Sequence, residues 1–230
     1  LEAVFHAQWP AMITSLGARW TGRSPGRLYL AAHGRELLIR PFDSVLAQRA
    51  YDRFRRHLLR QADRCFPVST YTGDLLRSEG VDRKRITVVG NGTDPERFRP
   101  IEAPSLSEQL TGARRPTLLT VGRLVERKGF DTTIRAVARL RDAFPDLLYV
   151  ITGSGPDRNR LERLVAEHGL TDHVHFTGRI DHEELPRYYG GCDVFVMVSR
   201  SVPPEVEGFG IVFLEANACE TPVVGARSGG

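Results

Sequence analysis

Two carboxylates stand eight positions apart in "EGFGIVFLEA", residues 207–216: Glu207 before an apolar run and Glu215 inside it, with glycines at Gly208 and Gly210. A pair of acids can act as general acid and base in the manner of a glycosidase. It can instead accept hydrogen bonds from the vicinal hydroxyls of a polyol. The patterning changes within the stretch. "EVEGFG" reads as a glycine-interrupted loop and "IVFLEANAC" as a helix, so Glu207 precedes the helix and Glu215 lies about one and a half turns into it. The N–H groups of Gly208, Phe209 and Gly210 then sit at a helix start, suited to an anion or to sugar hydroxyls. Val212, Phe213, Leu214 and Ala216 flank Glu215, which predicts a largely buried helix. An unpaired carboxylate is unfavourable there, so a bound partner is expected.

A second constellation is "TLLTVGRLVERKGF" (117–130). An apolar strand ends at Gly122, Arg123 follows at its carboxyl end, and Lys128 with Gly129 opens the next helix. Open α/β sheets bind ligands at such a place, and helix N-termini with adjacent cations favour phosphate oxygens. The 32 basic residues are 30 arginines and two lysines, Lys84 and Lys128, so a lysine here is less readily accidental than an arginine. Arg127 reads as a solvated charge. "TGSGPDR" (152–158) is another glycine turn between strand and helix, but Arg158 stands where a dinucleotide fingerprint has its third glycine. No G-x-x-x-x-G-K-[ST] occurs either, which disfavours a phosphate loop of the Walker type.

The elements that would hold these residues are legible as short apolar runs: residues 27–32, 65–69, 86–90, 117–122, 147–153, 173–178, 193–199 and 222–225. Helix-period stretches lie between most of them, for example 129–143 and 157–168, the latter opened by Pro156 and closed by Gly169. Strand and helix alternate, so the class is α/β with parallel sheet, and strands apolar almost throughout imply helices on both faces. Strand signal vanishes over 101–116, which reads as a linker between a first domain, 1–100, and a second, 117–230. The chain opens at Leu1 without methionine, and both domains read as truncated.

The 230 residues are 41% apolar and 26% charged, as in a globular chain. No run reaches the eighteen or so apolar residues of a membrane span and no leader pattern is present, which predicts a cytoplasmic protein. Cys65, Cys192 and Cys219 are widely spaced and read as buried thiols. A net charge of +4 is compatible with an anionic ligand, but no recognition motif for nucleic acid accompanies it.

Taken in order, "HGRE", "NGTDPERFRP", "VGRLVERKG", "GSGP" and "EGFGIVFLEA" resemble glycosyltransferase family 4 over nearly the whole chain. The last looks like the Glu-x7-Glu motif of retaining glycosyltransferases. The resemblance implies the GT-B fold, two Rossmann-like domains facing a cleft. It implies a metal-independent hexosyl transfer from a nucleotide-diphospho-sugar, such as GDP-mannose or a UDP-hexose, to a glycan or lipid hydroxyl, with no cofactor. By the same resemblance Arg123 and Lys128 bind the donor diphosphate, and Glu215 accepts the ribose hydroxyls. Glu207 and the amides of Gly208, Phe209 and Gly210 hold the transferred sugar and β-phosphate, and His33 reaches the sugar from the other domain. Asn91 and Asp94 read as turn-forming and Glu205 as a loop charge. The absence of any Asp-x-Asp agrees with metal independence. The alternative from another class is a non-catalytic nucleotide-binding or interaction module. One departure stands out: Glu220 occupies a position where the family usually has glycine, after a helix end that favours a left-handed residue.

Two further patterns invite a function. Arg49, Arg53, Arg56, Arg60 and Arg64 form a basic stripe on a helix whose other face carries Leu46, Ala50, Phe54 and Leu58. The stripe is either a solvated face or a peripheral contact with anionic lipid at the inner face of a membrane. His173 and His175 alternate on a strand near His168 and His182, but no acid or cysteine completes a metal spacing, so they read as surface histidines.

Overall fold

The computed structural model describes residues 3–6, by backbone alone, and 27–230 apart from 103, 203 and 204. Residues 7–26 of the expected first domain lie outside the described residues. The chain divides into two compact units, Leu1–Asn91 with Ser201–Phe209 and Gly229–Gly230, and Gly92–Arg200 with Gly210–Ser228.

In the first unit, strands β1 (Ala3–His6), β2 (Leu28–Ala32) and β3 (Arg64–Pro67) pair in parallel in that order. After β2 come the short helix α1 (Arg35–Leu38) and the long helix α2 (Val45–Gln61), and α3 (Thr70–Ser78) follows β3. Ser44 and Ser69 cap α2 and α3 by accepting the N–H of Ala47 and Thr72. Leu28, Leu30 and Ala32, alternate residues of one strand, pack with Leu58, Leu59, Cys65 and Leu76 in a single core.

Two elements of the first unit depart from the sequence pattern. The run 86–90 is not a strand: only Ile86 bridges to Cys65, and Thr87 and Val89 donate to the carbonyls of Cys65 and Pro67. Val88 and Val89 remain about half exposed, so the apolar run reflects no buried ladder. Helix α2 is also turned from its expected setting. It buries Gln48, Arg55, Leu58 and Leu59, and leaves Ala50 exposed, Leu46 76% exposed and Phe54 47% exposed. Each of these two polar side chains has a charged partner, although the buried Arg55 Nε makes no hydrogen bond. Gln48 donates to Asp52 at 2.9 Å, and Arg55 donates to Glu79 at 2.7 Å from 24 positions away, a partner that helical periodicity cannot reveal.

The second unit holds a five-stranded parallel sheet in the order β6-β5-β4-β7-β8: β4 (Thr117–Val121), β5 (Leu148–Thr152), β6 (Val174–Gly178), β7 (Val194–Met197) and β8 (Val223–Gly225). Helices α4 (Leu106–Thr111), α5 (Phe130–Leu140), α6 (Arg158–Glu167), α7 (Leu185–Gly190) and α8 (Ile211–Ala218) complete it. Alternate residues feed opposite faces. Leu119, Val121, Leu148 and Val150 join Leu106, Tyr189, Phe195 and Ala216 on one side, whereas Tyr149 and Ile151 join Ile134, Val137, Leu161 and Val165 on the other. Two covered faces explain why these strands are apolar almost throughout. The chain winds from β4 outward to β6 in one direction and then to β7 and β8 in the other. The carboxyl end of β4, beside β7, is therefore the switch point of the sheet, the position at which open α/β sheets generally bind ligands. Among the described residues no helix is long and apolar enough to cross a membrane.

Candidate active site

At the carboxyl ends of β4, β5 and β6, backbone hydrogen bonds join the following loops. Gly122 donates to Thr152 O at 2.9 Å, Leu124 to Ser154 O at 3.0 Å, Gly153 to Gly178 O at 2.8 Å, and Asp157 to Leu124 O at 3.1 Å. Gly153 holds φ 135°, and a Cβ there would run into the Gly122 carbonyl, so only glycine lets these turns approach. The loops enclose a cavity of about 390 Å³ lined by Arg123, Ser154, Gly155, Arg179, Ile180 and Leu185 among others. Arg123 is exposed on this cavity and Arg179 lies at the end of β6. The sequence reading missed Arg179. Its signal was available, since it directly follows an apolar strand at the end where α/β sheets bind ligands.

Beyond Arg123 the chain makes one 3-10 turn, Glu126–Lys128, and enters α5 through Gly129 at φ 73°. A Cβ on Gly129 would strike the Val198 carbonyl, so the loop is seated directly against the segment after β7. Lys128 is 9% exposed, and its Nζ lies 3.5 Å from Met197 Sδ, the last residue of β7. Its ammonium is thus held at the switch point between β4 and β7.

Glu215 is 5% exposed on α8, as its apolar neighbours imply. The expectation that it needs an outside partner is amended: Tyr189 on α7 donates its hydroxyl to Glu215 Oε2 at 2.7 Å. Burial, then the Glu215 charge, push the Tyr189 phenol far above its ordinary range, so the hydroxyl stays a donor. Gly210, at φ 81°, precedes the first residue of α8.

The remaining expected residues fall in the first unit. His33 is exposed, and its N–H and that of Gly34 both donate to the Glu36 carboxylate, the latter at 3.2 Å. Glu36, the last residue of "HGRE", so shapes the turn that carries His33, a role the motif alone did not assign. An ideal Cβ on Gly34 would stand 3.6 Å from Gly208 Cα, and one on Gly208 would meet His33 O, which brings the His33 turn and the loop after Glu207 together. Phe209 lies beside Gly90, whose Cβ would come 3.3 Å from its ring. The Gly230 N–H donates to Glu207 O at 2.9 Å.

Glu220 has φ 60°, the one positive φ outside glycine among the described residues, just past the end of α8. Cys65, Cys192 and Cys219 are buried free thiols that burial raises to about 11, about 12 and about 11. His173 and His175 are half-buried rather than surface groups, with His173 Nδ1 2.9 Å from Leu147 O, and no cluster of three metal-ligating side chains occurs among the described residues.

Comparison with known proteins matches residues 3–97 to Glycosyltransferase Family 4 and residues 105–230 to Glycosyl transferases group 1. The GDP-mannose-dependent alpha-(1-6)-phosphatidylinositol monomannoside mannosyltransferase of Mycolicibacterium smegmatis is 38% identical over 179 residues, covering 76% of this chain and 47% of that protein. The D-inositol 3-phosphate glycosyltransferase of Salinispora tropica is 36% identical, covering 74% of this chain and 38% of its own. The chain thus spans about half or less of the length of these relatives. Among solved structures, Anabaena HepE in complex with UDP and glucose superposes with TM-score 0.79 at 23% identity, over 99% of this chain and 60% of its own. Sucrose-phosphate synthase from Thermosynechococcus elongatus gives TM-score 0.76 at 28% identity, over 99% and 56%. These neighbours are GT-B proteins, which agrees with the parallel α/β units found here. Matched by a family pattern over more than half of its residues, and 38% identical to a curated relative across three quarters of them, the chain belongs to the glycosyltransferases of family 4.

Proposed function

We propose that the protein is a retaining, metal-independent hexosyltransferase whose donor, a nucleotide-diphospho-sugar, binds at the carboxyl ends of β4, β5 and β6. The observation that carries this reading is the 390 Å³ cavity with Arg123 on its wall, next to a loop that holds Lys128 at the switch point of the sheet. The cavity takes the nucleoside. Arg123 and Lys128 face the diphosphate, and their charge offsets the negative charge that grows on the leaving phosphate. Glu215, oriented by Tyr189, accepts the ribose hydroxyls, while Glu207 and the amides of Gly208, Phe209 and Gly210 hold the sugar and β-phosphate. His33 serves the sugar, and in this reading the first unit carries the acceptor side and the second the nucleoside and diphosphate of the donor.

The reaction in this reading runs on one face of the sugar. The bond from C1 to the phosphate oxygen breaks, the acceptor oxygen bonds C1 from the same side, and the departing phosphate takes the acceptor proton. No protein nucleophile is needed. The acceptor is a glycan or a lipid hydroxyl. The relatives named for phosphatidylinositol mannoside and for inositol 3-phosphate supply the precedent for the class, and GDP-mannose and UDP-hexoses are the candidate donors.

A screen of the intact protein against GDP-mannose, UDP-glucose and UDP-N-acetylglucosamine, following release of GDP or UDP, tests the reading. Turnover of one donor, unaffected by EDTA and lost in Arg123→Ala, is the expected result. Binding of nucleotide with no turnover of any donor, with or without lipid and glycan acceptors, would favour a non-catalytic nucleotide-binding module.

A further inference from the structure

Asp131, in the first turn of α5, is 5% exposed, yet guanidinium groups from three elements surround its carboxylate. Arg135, one turn along the same helix, donates to Oδ2 at 3.0 Å. Arg200, just beyond β7, reaches Oδ2 at 3.1 Å and Oδ1 at 3.0 Å. Arg160 of α6 stands 3.8 Å from Oδ2. Two of these arginines continue to the loops of the candidate site. Arg200 donates its backbone N–H to Arg127 O at 2.7 Å and approaches Glu126 Oε1 at 3.4 Å, gripping the turn that ends in Lys128. Arg160 clamps Asp157 through contacts of 2.5 and 2.7 Å, at the end of the glycine turn that lines the cavity.

We infer that Asp131 is a positioning residue for the diphosphate-facing loop, acting through Arg200 and Arg160. The inference rests on the donor-site reading above. One buried carboxylate joins the Lys128 turn, the segment after β7 and the turn of Gly153–Gly155, the three loops that must keep a fixed spacing for a diphosphate to meet cations and cavity together. An acid in the first turn of a helix is also favoured by the helix dipole, and removing one member of a buried ion cluster destabilises a fold without any ligand. Those effects act equally on every ligand of the site. Positioning of the loop acts on the diphosphate selectively. Burial opposes the charge of Asp131, but hydrogen bonds from Arg200 and Arg135 and the charges of Arg200 and Arg160 outweigh it and hold the carboxyl below its ordinary range. It is therefore ionised throughout the neutral range and available as a fixed anchor.

The experiment compares the affinity of the intact protein for GDP and GMP, or UDP and UMP, by calorimetry, with melting temperatures alongside. Asp131→Asn and Arg200→Ala should lower the diphosphate-to-monophosphate affinity ratio by about tenfold, the equivalent of one charged hydrogen bond. Arg200→Lys should restore part of that ratio. Arg135→Gln removes a partner of Asp131 that touches neither loop, so it should lower the melting temperature and leave the ratio unchanged. Equal loss of the ratio in Arg135→Gln, or an unchanged ratio in Asp131→Asn where Arg123→Ala abolishes diphosphate binding, would overturn the inference alone. An unchanged ratio in Arg123→Ala as well would overturn the donor-site reading and the inference with it.

Discussion

At the scale of single residues, the chemistry of a site and the strain of a fold are read in the same way, by asking what each group must have beside it. Glu220 is the clearest example of strain. A helix that ends in a left-handed residue favours glycine, and here a glutamate holds φ 60° at the carboxyl end of α8, where the helix dipole also disfavours negative charge. Glu220→Gly should raise the melting temperature by about 2–4 °C, corresponding to roughly 1 kcal/mol for a chain of this size. An unchanged or lower value would count against the assignment of strain, since the exposed side chain offers little else to lose. The position was legible because a helix end has a local signature. Tyr189 was not: it meets Glu215 from 26 positions away on another helix, and no local pattern announces such a pair. The apolar flanks of Glu215 correctly implied burial, but burial demands only some donor, and the fold provides a phenol. Asp131 escaped for the same reason, because two of its three arginines arrive from α6 and from beyond β7.

At the scale of elements, the parallel sheet of the second unit was the most legible part, because strands buried on two faces must be apolar at successive positions and glycine turns must punctuate them. Runs 117–122, 147–153, 173–178, 193–199 and 222–225 each contain an observed strand. The run 86–90 misled because β-branched residues also suit an extended segment that bonds at intervals without a ladder. Helix α2 misled in the opposite way. Leu58 is buried as expected and Leu59 with it, but Val45 is 65% and Leu46 76% exposed, with Arg49, Arg53, Arg56 and Arg60 exposed on the same helix, and Arg64, expected on the stripe, lies instead on β3. An apolar flank joined to a basic stripe is the composition of a helix lying in a membrane interface, and binding of this face to anionic lipid is directly testable. Co-sedimentation of the intact protein with vesicles rich in phosphatidylserine should exceed that with neutral vesicles and fall on added salt. Leu46→Glu should weaken it as strongly as Arg53→Glu. Background co-sedimentation on anionic vesicles at low salt would end the membrane reading.

At the scale of the whole molecule, five motifs, each weak or moderate alone, carried more in the right order and spacing than any one of them, because independent chance matches rarely fall in one succession. Each of the two units places its share of those loops at a strand or helix end: the His33 turn after β2 with the loop after Glu207 in the first unit, and Arg123, Lys128 and Glu215 in the second. Composition was silent on the choice of ligand, since a net charge of +4 spread over 32 basic and 28 acidic residues fits many anionic partners. The position of Arg123 and Lys128 makes that choice in our account: an anion with at least two phosphate groups, attached to a nucleoside. Calorimetry of the intact protein with GDP and with UDP is the direct test. The account predicts that one of the two binds, and that Arg123→Ala and Lys128→Ala each weaken it about tenfold or more, the range for one charge-assisted hydrogen bond. Absence of binding to either nucleotide, or binding that both substitutions leave unchanged, would contradict it.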